Sequence, residues 1–138
     1  MDDGTLSNEA VLRVAMRWLD LVDRGELQVA WSSASPQLGT GRTSASAFAA
    51  GTTEHEWCAE VGGLRSRLGP LRSRRLEAIS RDDELGPGEQ VASVTLRFAT
   101  MFDQIEGARE TAVVREDPDA VWRVSGYRIV IGSRSHSV

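Results

Sequence analysis

The spacing of apolar residues changes once along this chain, at Gly69-Pro70, from the period of an amphipathic helix to the alternation of a β-strand. Before that point, Val11, Val14, Ala15, Trp18 and Val22 fall at i, i+3, i+4, i+7 and i+11, with Leu12, Leu19 and Leu21 widening the stripe. Ser7 is placed to cap this helix, and Gly25 to stop it. Glu9, Arg13, Arg17, Asp20 and Arg24 occupy the other face, several of them paired at i+3 or i+4. A second, shorter helix is expected from about Glu26 to Ala34, ended by Pro36. The Ser/Thr/Gly/Ala stretch from Pro36 to Thr52 reads as a loop with at most one helical turn, at Ser46 to Ala50. Thr53-Glu54-His55-Glu56 then has the form of a capping box ahead of Trp57, Val61, Leu64 and Leu68. Gly62-Gly63 weakens that third helix and implies close backbone packing against a neighbour.

After Pro70, four consecutive runs read as strands: Leu71 to Glu84, Glu89 to Gln104, Ala108 to Glu116 and Ala120 to Gly132. Gly86-Pro87-Gly88, Glu106-Gly107 and Asp117-Pro118-Asp119 separate them. In the second run Ala92, Val94, Leu96, Phe98 and Phe102 take one face, and Ser93, Thr95, Arg97 and Asp103 the other. Helices first and strands after argue an α+β fold, with N-terminal helices packed on a curved four-stranded antiparallel meander sheet. Residues 7–132 are expected to form one domain, with 1–6 and 133–138 as flexible tails.

Composition excludes several classes of function. The 41% hydrophobic and 26% charged content is that of an ordinary globular chain, and the net charge of -4 repels nucleic acid and anionic lipid. One cysteine, Cys58, allows neither an intramolecular disulfide nor a multi-cysteine zinc site. No apolar run approaches the roughly 20 residues of a membrane span, and Met1-Asp2-Asp3-Gly4 is acidic where a secretory signal is basic. A cytoplasmic location is expected, or a periplasmic one had an export signal been removed.

Several segments, taken in order, resemble a bacterial family, the domain of unknown function 4019, between Val11 and Val130. They are Trp18 to Gly25, Trp31 to Ser35, Trp57, Arg65 to Arg74, the strand from Val94 to Phe102, Glu110-Thr111, and Trp122 to Tyr127. The resemblance implies an α+β fold of the cystatin-like or nuclear transport factor 2-like cone. It implies no activity, since the family has none assigned. Members of that family often look exported, whereas this sequence shows no export signal, and it carries Gly86-Pro87-Gly88 at the first strand turn.

Candidate chemistry is sparse. His55 sits beside Glu54 and Glu56 at a first helical turn, where exposure is the default and a general base lacks a positioned partner. Cys58 reads as a small buried hydrophobe of a helix. Arg65, Arg67, Arg72, Arg74 and Arg75 form a basic run without stacking aromatics, so ion pairing on a solvated face is expected, with Asp82-Asp83-Glu84 and Glu116-Asp117 as partners. Elbow, phosphate-loop, dinucleotide and metal-spaced motifs are absent, and no cofactor or metal is expected. Charged or polar groups inside apolar strands are better candidates, because a buried charge must be paired. Arg74, Glu110 and Tyr127 qualify, either as a polar ligand site beneath the tryptophans or as an ion pair that fixes strand register. Trp57 and Asp103 complete the candidate ligand-binding set, while Trp18, Trp31 and Trp122 read as core.

Three functions follow as expectations. The first is a non-catalytic domain that binds a small molecule or a partner protein through the helix-covered sheet. The second is a cone-fold isomerase, cyclase or hydrolase using Glu110 or Asp103 as pocket acid with Tyr127 as proton donor. The third is a structural domain forming a homodimer through its exposed sheet face.

Overall fold

The computed structural model describes residues 7–35, 53–86 and 89–131, the side chains of 82–86 and 89–92 excepted. The expected 36–52 loop, the Pro87-Gly88 part of the first strand turn and both tails lie outside the described residues.

Helix α1 spans Asn8–Asp23, and the Ser7 hydroxyl accepts the Ala10 N–H at 3.1 Å as its N-cap. Its buried stripe is Val11, Ala15, Trp18, Leu19 and Val22. The chain leaves α1 through Gly25, whose φ of 79° favours glycine, and the Glu26 N–H returns to the Leu21 carbonyl at 2.9 Å. Helix α2, Leu27–Ser33, is short and fully buries Ala30, whose carbonyl accepts the Trp18 indole N–H at 2.7 Å. Helix α3, Glu54–Leu68, carries the expected capping box: the Glu56 N–H donates to Thr53 Oγ1 and the Thr53 N–H to Glu56 Oε1. Trp57, Val61 and Leu68 form its buried face.

Four strands follow, β1 (Leu71–Gly86), β2 (Glu89–Phe102), β3 (Ala108–Glu116) and β4 (Trp122–Val130). They form one open antiparallel sheet in the order β1-β2-β3-β4. Register fixes which side chains share a face. Leu76, Phe98, Glu110 and Ile129 make one inward row, and Ile79, Leu96, Ala112 and Tyr127 the next. Helix α1 covers this face, and the main core joins Val11, Ala15, Leu19, Trp57, Leu96 and Phe98 among others. Leu68, Phe102 and Ala108 make a smaller cluster at the far end.

The strand ends differ from the sequence expectation. β2 stops at Phe102 rather than Gln104 because Phe102 and Ile105 exchange backbone hydrogen bonds across a tight turn, while Asp103 and Gln104 donate to the Pro70 and Leu68 carbonyls. β4 begins at Trp122 rather than Ala120. The Ala120 N–H closes a turn onto the Asp117 carbonyl at 2.8 Å, and Ala120 takes a φ of 68°. Register shifts fall between Leu71 and Ser73, between Leu76 and Ala78, and between Val113 and Val114. Such bulges change the facing of a strand partway along it. No described helix is long and apolar enough to cross a membrane.

Candidate functional site: a buried ion network under the first helix

The register shift at Arg72 turns Arg74 inward, opposite Thr100 on β2, and two steps along the inner face of β3 from Thr100's partner Ala108 lies Glu110. Tyr127 stands opposite Ala112, diagonal to Glu110. These side chains converge. Arg74 donates to Glu110 from Nε at 2.6 Å and from Nη2 at 3.1 Å, the two-pronged geometry that a guanidinium offers a carboxylate. The Thr100 hydroxyl donates to Glu110 Oε1 at 2.7 Å and the Tyr127 hydroxyl to Oε2 at 2.6 Å. Both carboxylate oxygens thus accept two hydrogen bonds, their full capacity.

Asp23, the last residue of α1, binds the other side of the same guanidinium, accepting from Arg74 Nη1 at 2.9 Å and Nη2 at 3.0 Å. Arg65 of α3 donates from Nη2 to Asp23 at 2.8 Å, and its guanidinium lies 4.8 Å over the centre of the Phe102 ring. Among the described residues Arg65 Nε and Nη1 have no hydrogen-bond partner, and the guanidinium rests on the aromatic face instead. Two guanidiniums and two carboxylates make the network neutral. It joins α1, α3, β1, β2, β3 and β4 at one point.

Burial alone would push the Asp23 carboxyl up, but hydrogen bonds and charge from Arg74, and then from Arg65, hold it below the usual aspartate range. Burial works against the Arg74 charge too, yet Asp23 and Glu110 outweigh it and the guanidinium is held charged. Burial and then the Glu110 charge push the Tyr127 phenol well above its ordinary value, so it remains a donor.

The structure therefore brings Arg74, Glu110 and Tyr127 together and adds Asp23, Thr100 and Arg65. Trp57 belongs to the adjoining aromatic layer, its ring centre 5.9 Å from Trp18 and 5.7 Å from Trp31. Trp18 in turn meets Tyr127 edge-on at 5.3 Å. Asp103 is not part of the network: it lies in the β2–β3 turn, largely exposed, paired with Arg72 at 3.2 Å. His55 is exposed on the first turn of α3. Cys58 is partly buried, and burial and then Glu54 push its thiol up, away from the reactive thiolate.

The described partners of the basic run are Asp23, Glu110, Asp103 and Glu77. The side chains of Asp82-Asp83-Glu84, expected among the partners, lie outside the described residues. Asp117, expected among those partners, is itself buried and serves β3 and β4. It accepts from the Ser35 hydroxyl at 2.8 Å and from Arg123 at 2.9 Å. Arg115 Nε lies 3.2 Å from it as an ion pair without hydrogen-bond alignment. Among the described residues no group of His, Cys, Asp and Glu is placed to hold a metal.

Two hollows near the helices, among the described residues, are small. One of about 160 Å³ lies between α3 and β4, lined by Glu60, Leu64, Arg67, Tyr127 and Arg128. Another of about 200 Å³ lies between α1 and the start of β4, lined by Val14, Trp18, Leu21 and Trp122 with Arg17 and Arg123. A wider one of about 360 Å³ lies among Ser73, Arg75, Glu77, Met101, Glu106 and Arg109, on the sheet face away from the helices.

Three helices on one face of an open four-stranded meander, locked by a saturated ion network, define a small α+β domain. The chain belongs to the family described as a protein of unknown function (DUF4019), whose model matches residues 14–127. A solved structure from Catenulispora Acidiphila shares the fold, with a TM-score of 0.58 and 10% identity over 93% of each chain. No curated protein matches the chain.

Proposed function

We propose that this protein is a non-catalytic domain that binds a partner protein at its surface, with the helix-covered side of the sheet as its structural core. The state of Glu110 carries this reading. A general acid or base needs a lone pair or proton within reach of a substrate. Glu110 is 0% exposed and spends all four acceptor positions on Arg74, Thr100 and Tyr127. Tyr127, the expected proton donor, gives its proton to the same carboxylate.

Size favours a partner chain over an enclosed metabolite. Small-molecule sites occupy about 300–1,000 Å³, whereas two hollows beside the helices among the described residues measure about 160 and 200 Å³, room for one side chain of a partner, and the one of about 360 Å³ lies on the open outer face of the sheet. The order of elements also supports the cystatin-like or nuclear transport factor 2-like cone implied by the resemblance, an architecture that hosts binders as well as enzymes.

A thermal-shift screen of metabolites is expected to leave Tm unchanged, and a partner from the host extract to co-purify with the full chain in fixed stoichiometry. A small molecule that raises Tm and is chemically converted, with conversion lost in a cooperatively melting Glu110→Gln variant, would overturn the reading.

A further inference from the structure

We propose that the sheet face away from the helices docks an acidic segment of a partner protein, its carboxylates seated on Arg97 and Arg128 beside Arg75 and Arg109. This names the partner's chemistry for the binding function proposed above and rests on it.

Register places these arginines in two successive outward rows. In the first, Arg75 of β1 and Arg109 of β3 flank Ala99 of β2. In the second, Arg97 of β2 and Arg128 of β4 flank Thr111 of β3. Each row sets two arginines about 9.5 Å apart on the backbone, twice the strand spacing, across a small residue. The first row already holds a carboxylate. Glu77 lies between its two guanidiniums, 3.4 Å from Arg75 and 3.6 Å from Arg109. The second row repeats the arrangement without one: Arg97 and Arg128 are exposed, with no ion-pair partner among the described residues. Glu77 thus shows how an incoming Asp or Glu sits on this face.

Chain averages oppose such a patch. On a chain of net charge -4, four arginines against two glutamates, Glu77 and Glu106, sit on one stretch of sheet, and among the described residues no helix covers them. Arg97 and Arg109 lie on central strands, so protection of a sheet edge does not account for them. Two apolar residues accompany them, Met101 at 38% and Val130 at 44% exposure. Arginine and methionine are enriched at protein interfaces, and a guanidinium meets a carboxylate in two-pronged fashion. Among the described residues no aromatic is an exposed large hydrophobic, so this face offers no stacking platform of the kind a single-stranded nucleic-acid site uses. A second copy of the chain is a poor occupant, because a two-fold contact through this face sets arginine against arginine.

Fluorescence anisotropy with a labelled Glu-rich peptide, and a Lys-rich one as counterpart, tests the surface. The Glu-rich peptide alone is expected to bind, more weakly as salt rises, and Arg97→Glu/Arg128→Glu should lose about tenfold in affinity while melting like the parent. Arg13→Glu/Arg24→Glu makes the same charge change on exposed positions of α1 and its C-cap, and is expected to leave peptide binding intact. Equal loss in both variants, no binding of the Glu-rich peptide, or tighter binding of phosphatidylglycerol vesicles or a single-stranded oligonucleotide would overturn the proposal. A captured partner that R97E/R128E still holds would remove this surface and leave the partner-binding function standing. No partner for either protein would remove that function itself.

Discussion

Glu110 is the residue on which the interior turns, for a charge at zero exposure survives only with its lone pairs filled. Glu110→Gln keeps the shape but leaves Arg74 short of one negative charge, which should cost about 3–5 kcal/mol in urea unfolding. Tyr127→Phe keeps the ring against Trp18 and loses one charge-assisted hydrogen bond, which should cost about 1.5–3 kcal/mol. A Glu110→Gln cost under about 1 kcal/mol would mean that the network is not a pin. Asp23 sets the acid limit. Its carboxyl is held below its ordinary value when folded, so its contribution is complete above the ordinary aspartate pKa of about 3.9 and is lost as pH falls through the depressed one. Asp23→Asn should therefore be less stable at neutral pH and show a flatter fall in Tm on acidification; an unchanged acid limb would contradict this. Arg74, Glu110 and Tyr127 were readable in the sequence as polar residues in apolar strands. Thr100 continues the 94, 96, 98, 102 alternation, and Asp23 continues the row of Ala15 and Leu19 at i+4, so both carried a signal. That signal was easily masked, since threonine suits any strand and an acid near a helix end suits solvent.

At the level of elements, caps and periodicity placed all three helices and four strands, because their determinants are local: Ser7, Gly25, and the Thr53–Glu56 box. Bulges were not readable. They depend on pairing between strands, and the one at Arg72 decides that Arg72 is exposed while Arg74 is buried. The two glycines of α3 separate packing from propensity. A Cβ at Gly62 would lie 3.3 Å from Leu27 Cδ1 of α2, whereas at Gly63 it would meet only the Arg67 side chain at 4.0 Å. Gly63→Ala should raise stability by about 0.5–1 kcal/mol, the helix-propensity gain. Gly62→Ala should gain less, since Leu27 must yield. Equal gains in thermal melts would show that Gly62 does not set the approach of α2. The inference of close packing from the Gly-Gly pair thus holds at one of its two positions.

For the molecule as a whole, the two faces of the sheet have opposite tasks. The inner network of Asp23, Arg65, Arg74 and Glu110 balances its charges, while the outer face keeps two guanidiniums, of Arg97 and Arg128, that no acid among the described residues meets. That asymmetry bears on assembly. A homodimer through the exposed sheet face, one of the arrangements the sequence allows, is isologous, so Arg97 and Arg128 would face their own copies with Glu77 already spent on Arg75 and Arg109. Like charges brought together in a drying interface cost more than they return, and salt relieves this only while water remains. Head-to-tail contacts between the arginine rows and the acids of α3 escape this repulsion, but unless their rotation closes a ring they give an open chain, which gains no cooperative stability at low concentration. Light scattering at near-physiological salt should therefore report the 15.0 kDa monomer at every concentration tried. A concentration-independent mass of twice that value, lost in R97E/R128E, would show that the sheet face pairs with itself. The same mass retained in that variant would put the dimer contact elsewhere and leave the arginine rows free for a partner.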